Sequence, residues 1–151
     1  MASAHTFGDL GESLYQRLIT FRRDLHAHPE LSGGEERTAR QICAALDELG
    51  IDYRSGVGGH GIVATIVGHE EGPAIGLRGD MDALPVFEET GLPFASTVDG
   101  VMHACGHDGH STIVLGAATL LKANPPRRTV KLIWQPSEER ATGAQAMIDD
   151  G

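Results

Sequence analysis

Only two cysteines, Cys43 and Cys105, occur among the 151 residues. That is too few for a disulfide framework and points to a reducing, cytoplasmic setting. Basic residues are scarce: 12 Lys+Arg stand against 21 Asp+Glu, a formal net charge of -9. Neither nucleic acid nor an anionic membrane is expected as a partner of so acidic a chain. No apolar run approaches the roughly 18–20 residues that a membrane-spanning helix needs. The opening MASAHTFGDL has neither a basic start nor an apolar core, so no secretory signal is expected there. Aromatic residues make up only 5% of the chain, but 40% hydrophobic and 22% charged residues still describe a globular protein rather than a disordered one. Glycine is the exception to this scarcity. There are 20 of them, which implies tight turns or backbone that must approach something closely.

Leu10, Leu14, Leu18, Phe21 and Leu25 recur at three- and four-residue spacing and predict a helix over 9–27, stopped by Pro29. Ser32 with Glu35 reads as a capping box for a second helix, which carries Ile42, Ala45, Leu46 and Leu49 and closes at Gly50. Short strands are expected at 51–57, 62–67 and 74–78, a long loop over 79–108, a helix over 109–123, a buried strand at 129–134 and a last helix at 143–149. Alternating helices and strands predict a layered α/β domain with a central sheet.

Three segments gather chemistry-bearing residues. In MHACGHDGH (102–110), three histidines, Cys105 and Asp108 precede a helix. Thiolate and imidazole both ligate borderline metals such as zinc, and the helix N-terminus is expected to lower the thiol pKa. A turn with surface histidines and an inert thiol is the alternative. In RGDMDALP (78–85), extended backbone would turn Asp80 and Asp82 the same way, although a solvated turn with capping aspartates has the same pattern. In QPSEER (135–140), Glu138 and Glu139 follow a strand, and one could bind a metal while the other activates water. Glu-Glu pairs are also common on surfaces. His26 and His28 read as helix-end histidines, and Cys43 as a packing residue.

Together, FRRDLHAHPELSGGE, GLRGDMDALPVFEETGLPFAS, MHACGHDGHSTIVLGAATLL and IWQPSEE, in that order, resemble the metal-dependent amidohydrolases that include hippurate hydrolase, N-acyl-amino-acid deacylases and auxin-conjugate hydrolases. The resemblance covers about residues 14–151. It implies a sandwich with a mixed sheet and a site for two divalent ions, zinc or manganese, that hydrolyses the amide bond of N-acyl amino acids. It also implies that Cys105 bridges the ions, with His107 on one and Glu139 on the other. Glu138 would be the general base, and Asp82 an aspartate orienting a ligand. No ligand role is implied for Asp80, Asp108 or His110. Two further histidine ligands and a lid and dimerisation domain are implied beyond residue 151. Residues 1–151 would then be the N-terminal part of the catalytic domain, with part of its sheet uncovered, prone to self-association or dependent on the C-terminal portion. Alone they are expected to be inactive, or to be a non-catalytic remnant that binds metal weakly or not at all. Arg140, Ala141 and Thr142 stand where the family is usually glycine-rich.

Overall fold

The structure, a computed structural model, describes residues 11–151. Helix α1 spans Gly11–Ala27, so the expected start of this helix at residues 9 and 10 lies outside the described residues. Helix α2 (Glu36–Leu49) ends as its sequence requires, with Gly50 in left-handed backbone at φ 60. Its start differs from the expected capping box. The Glu30 carboxylate reaches forward and accepts the N–H groups of Arg37 and Thr38 at 2.9 and 2.8 Å. This frees Ser32 and Glu35 for other contacts, because the orphan donors of the first turn already have an anionic acceptor.

Strands β1 (Tyr53–Val57), β2 (Gly61–Ile66), β3 (Ile75–Asp80) and β4 (Val130–Gln135) form one mixed sheet in the order β1-β2-β4-β3. β2 is antiparallel to both β1 and β4, whereas β3 runs parallel to β4 with Asp80 opposite Gln135. Helix α3 (His107–Ala123) makes the crossover between the two parallel strands, and α4 (Gly143–Asp149) closes the described chain. The fold is therefore α/β, as the alternation of patterns predicts. α3 starts two residues earlier than its apolar stripe indicates, which brings His107 and Asp108 into its first turn.

The core lies between the sheet and helices α2 and α3. Ile42 and Leu46 of α2 and Val114, Leu115 and Ala118 of α3 meet Ile62, Ala64, Leu132 and Trp134 of the sheet. On the sheet's other face, Val63, Thr65 and Ile133 are only half-buried and Lys131 is exposed. On the edge strand β3, Ile75 is 52% exposed. α1 packs on α3, where Leu18 lies against Gly116. One close approach fixes the relation of α3 to β3. A Cβ on Gly79 would stand 2.8 Å from the His110 carbonyl oxygen, so only glycine lets the first turn of α3 settle on the strand end. The link from β3 to α3 is long, as expected, but tied down. Ala83 bridges Leu31, and Met102 bridges Leu84.

Candidate active site

Because β3 and β4 are parallel neighbours in register, RGDMD and QPSEE leave the sheet side by side at its carboxyl end. Open α/β sheets assemble sites at that end. The N-terminus of α3 is held over the same end. Ser111 Oγ donates to the Asp80 carbonyl at 2.7 Å, and Trp134 Nε1 donates to the Ser111 carbonyl at 3.1 Å.

His107 is the hub. Its ring is 2% exposed and its Nδ1–H donates to the Asp82 carbonyl oxygen at 2.8 Å, with Asp82 Oδ1 at 3.3 Å. Nε2 then points its lone pair into the site, 3.6 Å from Asp80 Oδ1, 3.7 Å from Glu139 Oε1 and 3.8 Å from Glu138 Oε2. Burial would lower the His107 pKa, but Asp82 and Asp80 outweigh it and raise it.

Asp82 ties two motifs together. Its Oδ2 accepts the Ser32 hydroxyl at 2.6 Å and the Glu139 N–H at 3.0 Å. Burial pushes the carboxyl up, yet hydrogen bonds from His107, Ser32 and the Glu139 and Glu138 amides hold it well below the usual carboxylate range. Cys105 Sγ, His107 Nε2 and Glu139 Oε1 form a group whose ligating atoms lie within 4.8 Å of one another. Desolvation and the nearby Glu139, Glu138 and Asp80 carboxylates push the Cys105 thiol up. This reverses the expectation of a lowered thiol pKa. The partial positive charge of a helix end, about half a unit, is outweighed by three carboxylates. A divalent cation would invert that balance and take the thiol as thiolate.

The residues fit such an ion. Glu139 Oε1 is buried and accepts no hydrogen bond. A partnerless buried carboxylate oxygen is costly, and beside a thiol and an imidazole lone pair it completes the donor set of a divalent metal.

The structure brings all five predicted site residues together, Cys105, His107, Glu138, Glu139 and Asp82. It also shows two residues whose contacts sequence reasoning missed, Glu35 and His26. Glu35 is fully buried, and its carboxylate accepts the N–H groups of Gly33 at 2.9 Å and Ser137 at 2.7 Å. That holds Ser137 in left-handed backbone, φ 50, at the start of the Glu-Glu turn. Its capping-box spacing concealed this role. His26 sits at a helix end, as expected, but is 3% exposed, with Nδ1 2.7 Å from Asp108 and Nε2 3.1 Å from Glu88. Asp108 also takes Arg22 at 2.7 Å, so α1 clamps the residue next to His107. Cys43 packs against the core, as read from its helix. Ala141 adopts φ 53, so the turn after Glu139 takes left-handed backbone at a non-glycine residue.

The family model described as Peptidase family M20/M25/M40 matches residues 76–151. The chain is 49% identical over 141 residues to an N-acetyl-L-cysteine deacetylase of Bacillus subtilis, covering 92% of this chain and 34% of that protein. An IAA-amino acid hydrolase of Arabidopsis thaliana is 39% identical over 142 residues, with 93% and 32% covered. The crystal structure of a dinuclear metal-binding peptidase of Bacillus subtilis superposes with a TM-score of 0.88 at 46% identity, covering 92% of this chain and 40% of that one. The chain thus spans about a third of the length of the curated relatives it matches. With its family motifs assembled at one end of the sheet, this chain belongs to peptidase family M20/M25/M40.

Proposed function

We propose that residues 1–151 form the N-terminal part of a metallohydrolase catalytic domain that cleaves the amide bond of N-acyl amino acids. The observation that carries this reading is the convergence of Cys105, His107 and Glu139 within 4.8 Å, with Glu138 alongside. The relatives named as a deacetylase and an IAA-amino acid hydrolase support the substrate class.

In this reading Cys105, as thiolate, His107 and Glu139 would hold two divalent ions, zinc or manganese. When bound, such ions supply Lewis-acid polarisation of the amide carbonyl and lower the pKa of water. Glu138, whose side chain is 38% exposed, reaches the site from solvent and takes the proton from water. It then delivers that proton to the leaving amine. Asp82 orients His107 through its backbone carbonyl and holds the Glu139 N–H through its carboxylate, so two ligands are aimed by one buried residue. Each ion would have only two ligands from these residues, whereas catalytic zinc usually takes three protein ligands. Full activity therefore calls on further ligands outside them.

The test is a chimera in which residues 11–151 replace the matching third of the Bacillus subtilis deacetylase. It should hydrolyse N-acetyl amino acids, and Glu138→Gln should abolish turnover while leaving metal content unchanged. A chimera that loads metal yet turns over equally well with Glu138→Gln would refute the assignment.

A further inference from the structure

Among the described residues, the donor atoms around His107 form two groups rather than one. Besides Cys105, His107 and Glu139, the side chains of Asp80, His107 and His110 place their ligating atoms within 4.8 Å of one another. His107 Nδ1 is engaged with the Asp82 carbonyl, so both groups draw on the same atom, Nε2. A ring nitrogen offers one lone pair and serves one ion at a time. We propose that Asp80, His107 and His110 form a second divalent-cation position, mutually exclusive with the thiolate-bearing one at His107.

The local geometry is that of a prepared site. Asp80 is buried, and its Oδ2 accepts Arg78 at 2.9 Å, which fixes the carboxylate plane and turns Oδ1 to the histidines. Oδ1 lies 2.8 Å from His110 Nδ1 and 3.6 Å from His107 Nε2. Two ligands on one ion at bond lengths of about 2.1 Å stand roughly 3.0–3.4 Å apart, so small adjustments suffice. The ion takes the place of the hydrogen on His110 Nδ1, which the ring carries on Nε2 instead. His107 and His110 are one helical turn apart on α3 with rings stacked at 5.6 Å, a spacing set by the helix itself. The His110 side chain is 51% exposed and gives the ion an entry route. Two imidazoles and a carboxylate make a harder donor set than the thiolate group, suited to zinc, cobalt or nickel. An ion on this side leaves Cys105 unligated.

Cobalt(II) absorption separates the two positions, because only the thiolate position gives a sulfur-to-cobalt charge-transfer band. The 151-residue chain with Cys105→Ala should still bind one cobalt(II), with d–d bands and no charge-transfer band. Adding His110→Ala should weaken that binding by about tenfold or more. His110→Ala alone should leave the charge-transfer band of the unaltered chain in place. His110→Gln, checked by circular dichroism alongside, keeps the side chain's bulk and should behave as His110→Ala. Loss of all cobalt binding in a folded Cys105→Ala chain, or residual binding indifferent to both His110 substitutions, would overturn the proposal. Failure of the thiolate assignment gives a different result, an unaltered chain with no charge-transfer band.

Discussion

Glu35 Oε1 accepts the Ser137 N–H at 2.7 Å across 102 positions of sequence, and so fastens the turn before α2 to the Glu-Glu turn of the site. Glu35→Ala would leave the Gly33 and Ser137 amides without their acceptor and should cost about 1–3 kcal/mol. Glu35→Gln, which retains one acceptor oxygen, should cost less. Urea unfolding of the two variants measures the difference, and equal stability of both would count against the tie.

Gly79→Ala should destabilise by about 1–3 kcal/mol, the usual cost of overpacking. The added methyl meets the His110 carbonyl at 2.8 Å, a backbone atom that can yield only if α3 shifts. Gly109→Ala on the same helix turn, where a Cβ meets nothing within 4 Å, is the control. Thermal unfolding should separate the two clearly.

Acid stability should carry the signature of Glu88. Burial raises its pKa, but hydrogen bonds from Thr90, the Ser96 amide and His26 dominate and lower it from 4.5 to about 2. A depressed carboxyl contributes stability that is fully present above its unfolded value and lost as pH falls through its folded one. The loss attributable to Glu88 should therefore run from pH 4.5 down to about 2. Glu88→Gln should flatten the denaturation midpoint against pH in that window.

Supplied with zinc or manganese, the 151-residue polypeptide by itself should hydrolyse N-acyl amino acids far more slowly than about 1 s⁻¹. Two protein ligands per ion leave each loosely held and nothing fixes water against the carbonyl. An ordinary enzymatic rate, measured by release of the free amino acid, would show this ligand count to be wrong.

The half-open sheet face around Val63 and Ile133, with Ile75 exposed on the edge strand β3, should drive self-association of the same polypeptide. Sedimentation velocity at rising concentration should show its weight-average mass increase. A single monomeric boundary throughout would contradict this.

The α/β class, the Gly50 stop of α2 and the bounds of α4 at Gly143–Asp149 were legible because each depends on local periodicity or backbone freedom. The motifs themselves were legible for a similar reason, since Cys, His, Asp and Glu carry their chemistry as residue types. The partners of Glu35 and His26 were not legible, for the opposite reason. A Ser-x-x-Glu spacing and a histidine at a helix end have common local uses, and nothing nearby in sequence indicates that Glu35 reaches Ser137 or that His26 reaches Asp108 and Glu88.

The same division runs through the site. Sequence alone determined which residue types suited to metal and proton chemistry are present, and that Asp80, Asp82, Glu138 and Glu139 stand at or just beyond strand ends. Tertiary structure decided how they meet. The parallel register of β3 with β4 and the seating of α3 on Gly79 place His107 between Asp82 and Asp80. It also decided the state of the Cys105 thiol, expected low from its helix and raised instead by carboxylates from two other segments. Residue type and backbone preference act within a few positions of chain. Electrostatic and hydrogen-bond partners act through a few ångströms of space, and only the fold sets which residues lie that close.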